Sequence, residues 1–276
     1  MTPKTSKHRT SNLYALVREP RESYNKWAPY TEEVINHIFL GRIRNNQNVI
    51  AAVCGETGSG KSWTALKIGE MVDPHFGREN VVFSAKEFLE SFESHSRGDV
   101  LVYDEGQEWS ARRSMSKKNV EMSDILTMLR FTQVNVIFTV PDISMVDVNL
   151  RRLLHLYMDV RPVNRVNGPK NLKNKSVASI YMIKSQRDPN GRGSRLYRVH
   201  PEIPIIRGKV RRPVPVDSCQ FEAPSPDLVA AYEERKRRAF RERLSKAVET
   251  LGGSSTPSPP VPPPQAGGSA GLEELM

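Results

Sequence analysis

The sequence predicts an α/β protein with a mainly parallel sheet and helices on both of its faces. Three observations predict it. Residues 48–54 (NVIAAVC) are a continuous apolar strand that enters a glycine-rich loop and leaves it into a helix over residues 62–72. Residues 99–105 (DVLVYDE) are a second apolar strand, ending in two adjacent carboxylates. Residues 134–140 (VNVIFTV) and 156–160 are two more, with helical periods before each. Strands alternating with helices close a parallel sheet through crossovers, and ligand loops then fall at the strands' carboxyl ends.

The loop is Gly55-Glu56-Thr57-Gly58-Ser59-Gly60-Lys61-Ser62. It fits G-x-x-x-x-G-K-[ST] without a mismatch, and it has the strand before and the helix after that this motif requires. The residue types follow from the chemistry. Glycines let the backbone curl so that several N–H groups point into one concavity, at the positive end of a helix. Lys61 is then expected to reach the β- and γ-phosphates of ATP, and the Ser62 hydroxyl to be a Mg²⁺ ligand. In the strand that ends at Asp104-Glu105, the arrangement called Walker B, Asp104 is expected to hold the Mg²⁺ complex, mostly through water, because a hard cation prefers carboxylate oxygen. Glu105 beside it suits orienting and deprotonating an attacking water.

In chain order, residues 1–47 are read as a polar, basic arm followed by a helix from Thr31, its expected N-cap, to about residue 44. The phosphate-loop helix is expected to turn Trp63, Leu66 and Met71 inward. After the break at Asp73-Pro74, residues 81–83 form a short strand, and Ser84 with Glu87 forms a capping box. The helix it opens is expected to run to about residue 95, with Phe88, Leu89 and Phe92 as its apolar side. Residues 106–118 read as an exposed loop carrying Trp109, Arg112 and Arg113. Residues 119–130 read as a helix, and 146–154 as a short helix with Arg151 and Arg152. Thr139, at the end of its strand, stands where a polar group could sense the γ-phosphate.

The segmentation is therefore 48–160 as the core and 161–224 as a basic hairpin and extended run. Residues 225–251 follow as a helix and 252–276 as a disordered Pro/Gly/Ser tail. The hairpin is read from alternation over 177–185 and 195–200 around the turn residues Asp188-Pro189-Asn190-Gly191. The proline-spaced run over 201–215 is expected to lie extended on the surface. Ser225 and Pro226 suit the cap and first position of the last helix. Its Arg235-Lys236-Arg237-Arg238 run, mixed with glutamates, reads as a solvated face.

Charge locates a second feature. The chain carries a net +10. Residues 1–160 balance, whereas 161–212 hold 14 Lys/Arg against only Asp188 and Glu202. Clustered cations favour a polyanion because binding releases counterions, so double-stranded DNA is the expected partner, with Lys184, Arg187, Arg192 and Arg195 around the hairpin turn as contacts. Cys54 and Cys219 cannot form a disulfide framework, and Cys54 reads as a small buried thiol. No run of 18 apolar residues and no signal-peptide stretch occurs, which predicts a soluble, cytoplasmic protein without a membrane segment.

A strand interposed between the phosphate-loop strand and the Asp-Glu strand, with a glutamate beside the Mg²⁺ aspartate, resembles the additional-strand, catalytic-glutamate division of P-loop ATPases. Within it, residues 48–160 are similar to the FtsK/HerA type, which includes zonular occludens toxin-like proteins of filamentous phages and viral genome-packaging ATPases. The resemblance rests on GETGSGKS (55–62), VLVYDEGQEW (100–109) and LRFTQVNVIFTVPDISMVDVNLRRL (129–153). It implies a ring, usually a hexamer, in which an arginine of one subunit reaches the neighbour's γ-phosphate. Arg130 best matches that finger, with Arg151, Arg152 and Arg113 in reserve. Two departures stand out: the family often has glutamine where this chain has Thr139-Val140, and the toxin-like relatives carry a membrane span.

Two functions from different classes follow. One is an ATP-driven motor that translocates or packages double-stranded DNA for a virus or mobile element, with a capsid or other protein docked on the C-terminal tail. The other is an ATP-gated assembly or adaptor protein whose basic segment binds an acidic partner. Stimulation of the ATPase by DNA separates them.

Overall fold

The computed structural model describes residues 30–104, 131–161, 175–187, 194–207 and 210–252. Ten strands and five α-helices are described: α1 (Thr31–Arg44), β1 (Ile50–Cys54), α2 (Lys61–Val72), β2 (Val81–Val82), α3 (Ala85–Ser91), β3 (Val100–Tyr103), β4 (Asn135–Val140), α4 (Val148–Leu153), β5 (Leu156–Arg161), β6 (Lys175–Arg187), β7 (Ser194–Val199), β8 (Glu202–Arg207), β9 (Val210–Pro215), β10 (Ser218–Glu222) and α5 (Pro226–Gly252).

The main sheet has the order β10-β6-β5-β1-β4-β3-β2, with β7 paired to β6. From β5 to β2 every pairing is parallel. Every residue of β1, β3 and β4 is buried, as expected of strands covered on both faces. β4 lies between β1 and β3, so the strand bearing the phosphate loop and the strand ending at Asp104 are separated by one interposed strand. That is the arrangement expected from the motifs, and the fold is a mainly parallel sheet flanked by helices.

One layer of core gathers Phe88, Tyr103 and Phe138 with Leu150, Val136 and Ala52. Its rings meet edge-on: Phe88 to Phe92 at 4.7 Å and Phe88 to Tyr103 at 5.6 Å between centroids. α2 buries Ala65, Leu66, Ile68 and Val72, while α1 buries Val34, Ile35, Ile38 and Phe39.

Several expectations need correction. In α2 the core face is Ala65-Leu66 with Ile68-Gly69, and Trp63 and Met71 are only half-buried. Thr31 is not the cap of α1 but its first residue. Its hydroxyl accepts the Gln220 N–H at 3.0 Å, tying the helix to β10. α3 ends at Ser91, a turn early, and Leu89 is exposed. Its cap forms, with the Glu87 N–H donating to Ser84 Oγ, but the Glu87 carboxylate accepts from Phe83 N rather than from the capping serine.

The hairpin β6–β7 forms with Met182 opposite Val199, yet β6 is longer than expected and pairs antiparallel with both β5 and β10. The sheet therefore runs on past residue 160. The proline-spaced run is a second hairpin, β8–β9, with Pro204 opposite Pro213. The loop over 106–118, the helix over 119–130 and the tail over 253–276 lie outside the described residues.

The chain divides into two units, 1–235 and 236–276. In the first, the opening turns of α5 are tied down: Ser225 N–H donates to Glu70 Oε1 at 2.9 Å, and Leu228 and Tyr232 are buried. Burial works against the charge on Glu70, but hydrogen bonds from Ser225 and Lys67 outweigh it and hold the carboxyl below its ordinary range. Arg235, expected on a solvated face, is instead engaged. It donates to the Arg78 carbonyl, lies 3.7 Å from Glu87 and stands over the Phe83 ring. In the second unit the helix carries an Arg238–Glu242 pair, with Phe240, Leu244 and Val248 exposed.

Candidate nucleotide-binding site

The loop between β1 and α2 starts where β1 and β4 end, with Gly55 N–H donating to the Pro141 carbonyl at 3.2 Å. Gly55 is confined on its other side. A Cβ there would stand 2.4 Å from the Val160 carbonyl oxygen and 2.8 Å from Ser59 Oγ, so no larger residue fits. Gly60 caps α2 in the left-handed region, φ 98°, and offers no side chain to the first N–H groups of that helix. The Ser59 hydroxyl is buried without a hydrogen-bond partner among the described residues. A glycine-capped helix N-terminus, an orphaned buried hydroxyl and a lysine at the rim fit a triphosphate. Lys61 is the first residue of α2, and its ammonium donates to the Glu56 carbonyl of the same loop at 2.9 Å.

Asp104 follows β3 and is fully buried. Ser62 Oγ donates to its Oδ1 at 2.7 Å, and Thr139 Oγ1 donates to the same oxygen at 2.6 Å. Each of the three side chains comes from a different element: the first turn of α2, the end of β3 and the end of β4. The parallel order β1-β4-β3 brings them together at one end of the sheet. A serine hydroxyl and a carboxylate are hard oxygen donors, the set that fits Mg²⁺.

The site also contains residues that sequence reasoning missed. Tyr232 Oη donates to Asp104 Oδ2 at 2.7 Å, across 128 positions of sequence. No local motif marks it, because it stands in a charged helix among Glu233, Glu234 and Arg235. Arg198 of β7 stacks over the Tyr157 ring, 4.0 Å from its centroid. Asp142, just past β4, is held below the ordinary carboxylate range by hydrogen bonds from Ser144, then by Arg198 and Arg151. Burial first, then the carboxylates of Asp142 and Asp159, push the Cys54 thiol up to about 12, so it is an inert core group as expected.

Among the remaining expected site residues, Glu105, Arg130 and Arg192, with the reserve Arg113, lie outside the described residues. Lys184 is exposed on β6 opposite Tyr197. Arg195 pairs with Gln186 and Arg187 with Ser194 in the hairpin register. Arg151 lies in α4 with its Nε buried and unpaired among the described residues, and Arg152 is exposed beside it.

Strand order, loop and site together define the class: this is a P-loop NTPase fold with the additional strand between the phosphate-loop and Asp104 strands. The family model for zonular occludens toxin (Zot) matches residues 66–166, a span that includes Asp104 and Thr139, and it bears out the resemblance to FtsK/HerA-type P-loop ATPases. No curated protein matches the chain.

Among solved structures, the N-terminal domain of zonular occludens toxin from Neisseria meningitidis is 18% identical, with 55% of this chain and 94% of that one covered at a TM-score of 0.36. The genome packaging NTPase B204 from Sulfolobus turreted icosahedral virus 2, in complex with AMPPCP, is 12% identical over 55% of this chain and 97% of that one, at 0.30. EssC (ATPases 2 and 3) from Geobacillus thermodenitrificans is 10% identical over 75% and 45%, at 0.32. Among the described residues no helix is long and apolar enough to cross a membrane.

Proposed function

We propose that the chain is a Mg²⁺-dependent ATPase that moves double-stranded DNA, as a packaging or translocation motor of a virus or mobile element. The observation that carries the nucleotide part is the buried Asp104 carboxylate joined to Ser62 and Thr139 beside the phosphate loop. In this reading the N–H groups of residues 55–62 and the Lys61 ammonium bind the phosphates. Ser62 and Asp104 hold Mg²⁺, which when bound supplies charge neutralisation on the phosphate oxygens. Glu105 orients and deprotonates the attacking water, and Thr139 fixes the side of Asp104 nearest β4. Arg130 reaches the γ-phosphate of a neighbour in a hexameric ring.

The DNA part rests on the basic segment over 161–212, whose Lys184 is exposed on the hairpin. It is tested by measuring ATP hydrolysis with and without duplex DNA, at low and high salt. DNA should raise the rate, and salt should remove the increase. Replacing Lys184, Arg187, Arg192 and Arg195 with glutamine should lower the slope of log K against log salt by about 0.9 for each phosphate no longer neutralised. A second arm mixes Arg130→Ala with Glu105→Gln subunits. Partial rescue is expected, because a finger in trans is worth about 10³–10⁵ in rate. Unchanged hydrolysis and unchanged duplex binding would instead favour an ATP-gated adaptor with an acidic protein partner.

A further inference from the structure

Asp104 is gripped on both of its oxygens. Ser62 and Thr139 donate to Oδ1, and the third donor, Tyr232, reaches Oδ2 from the other end of the sequence. The ring of Tyr232 is 2% exposed and lies 6.0 Å from the Phe83 ring, so its carbon skeleton is already accounted for by packing. A phenylalanine would fill the same space. What tyrosine adds is a hydroxyl in a buried setting, where an unpaired hydroxyl is costly, and Asp104 Oδ2 takes its hydrogen bond. The turns that carry it are themselves anchored. Ser225 bonds Glu70, and Arg235, one turn on, holds the Arg78 carbonyl and Glu87.

We infer that Tyr232 is a positioning residue for the Mg²⁺-binding carboxylate, so that the first turns of α5 are part of the nucleotide site. The inference rests on the reading of Asp104 as a Mg²⁺ ligand. A carboxylate held at Oδ1 alone can still turn about its Cβ–Cγ bond. Held also at Oδ2 by a side chain locked in packing, it is fixed before the ion arrives. Hydrogen-bond partners of this kind are typically worth about 10- to 100-fold in metal affinity. Coupling is reciprocal, so binding of Mg²⁺ with nucleotide should also tighten the seat of residues 226–235.

The test is binding of a fluorescent ATP analogue to the full chain, titrated with Mg²⁺ and repeated in EDTA. Tyr232→Phe should raise the Mg²⁺ concentration for half-maximal enhancement about tenfold or more, with affinity in EDTA unchanged. Arg235→Ala, which loosens the same turns but keeps the hydroxyl, should shift that midpoint by less than Tyr232→Phe does. If Tyr232→Phe matches the native midpoint while Asp104→Asn shifts it, the positioning role is overturned and the site reading stands. An equal shift from Arg235→Ala would also overturn it, since docking and not the hydroxyl would then be responsible. If Asp104→Asn shifts nothing, the reading of the site falls and the inference with it. Should Tyr232→Phe fail to fold, hydrogen exchange of the native chain decides. Amides of 228–235 should exchange more slowly with Mg²⁺ and nucleotide than with nucleotide in EDTA, and equal exchange overturns the role.

Discussion

The two ends of the parallel strands bury polar groups in opposite ways. At the amino end, side chains bond to backbone. Asn135 Oδ1 accepts Val49 N–H at 2.9 Å, and its amide donates to the Gly98 carbonyl at 3.0 Å. Asn48 donates to the Val134 carbonyl, Asp73 accepts from Val100 N–H, and His155 accepts from Ile50 N–H. At the carboxyl end, the buried Asp104 carboxylate accepts from three side-chain hydroxyls. A backbone donor is fixed by the strand that carries it. A hydroxyl can rotate about its C–O bond and exchange its partner. The first kind of contact suits a clamp that never opens, and the second suits a carboxylate that must accommodate an incoming ion.

The sharpest way to break this contrast is to cut the nucleotide site and the amino end separately. Lys61→Ala at the carboxyl end should abolish hydrolysis, a fall of about 10³-fold or more if it carries the phosphate charge, and should weaken triphosphate binding. Glu105→Gln should keep binding and stop turnover, because the glutamate acts on water only during reaction. Lys61→Ala should not move the melting temperature by more than about 2 °C, because Lys61 is partly exposed at the rim of the loop. Loss of activity that tracks loss of folded protein would erase the distinction between the ends.

Asn135→Ala is the converse cut. It removes bonds to the backbone just before β1 and just before β3, and leaves Val49 N–H buried without its acceptor. At about 1 kcal/mol for the bond to Gly98 and 1–3 for the orphaned Val49 donor, the cost should be about 2–4 kcal/mol. Urea unfolding should record that loss, while the rate per folded molecule stays native. A variant that unfolds at the native urea concentration would show that the amide clamp contributes nothing.

How much of this is legible in the sequence follows from distance along the chain. The loop at 55–62, the strand into Asp104 and the strand into Thr139 are contiguous patterns whose chemistry is written within a few residues. That they meet at one edge follows from parallel strands, which the alternation of strands and helices implies, whereas the interposed strand goes with the family resemblance. Tyr232 is not legible, because nothing within its own helix distinguishes a phenol that docks from one that packs. Thr31 misleads for a similar reason: its hydroxyl suits a cap, but Gln220 of β10 claims it.

The hairpin β8–β9 is hidden by its prolines, which read as breakers. A two-stranded ribbon tolerates them where the missing N–H would have faced outward, and Pro204 stands directly opposite Pro213. Arg235 groups with its charged neighbours in the sequence, because a run of cations gives no sign of which one meets Glu87 and the Phe83 ring.

The smallest expected effect is a pH dependence confined to the amino end. His155 lies between β1 and β5, with its Nδ1 accepting the Ile50 N–H at 3.0 Å and its backbone N–H donating to the Ile50 carbonyl. Burial, aided by the nearby Arg42 guanidinium, lowers its pKa from 6.5 to about 3. Protonation would place a hydrogen on the atom that must accept one, and would bury a second cation near Arg42. Because the pKa is depressed in the folded state, the unfolded chain takes up the proton first. This contribution is therefore complete above pH 6.5 and is lost as pH falls from 6.5 toward 3. Between pH 7 and pH 5 it should amount to roughly 1–2 kcal/mol. Urea midpoints at pH 7, 6 and 5 measure it, with His155→Gln as the reference that cannot titrate there. The native chain should lose more stability than the variant over that interval. Parallel pH profiles would mean that the imidazole is not held neutral, and the amino end would then owe its stability to the amide and carboxylate clamps alone.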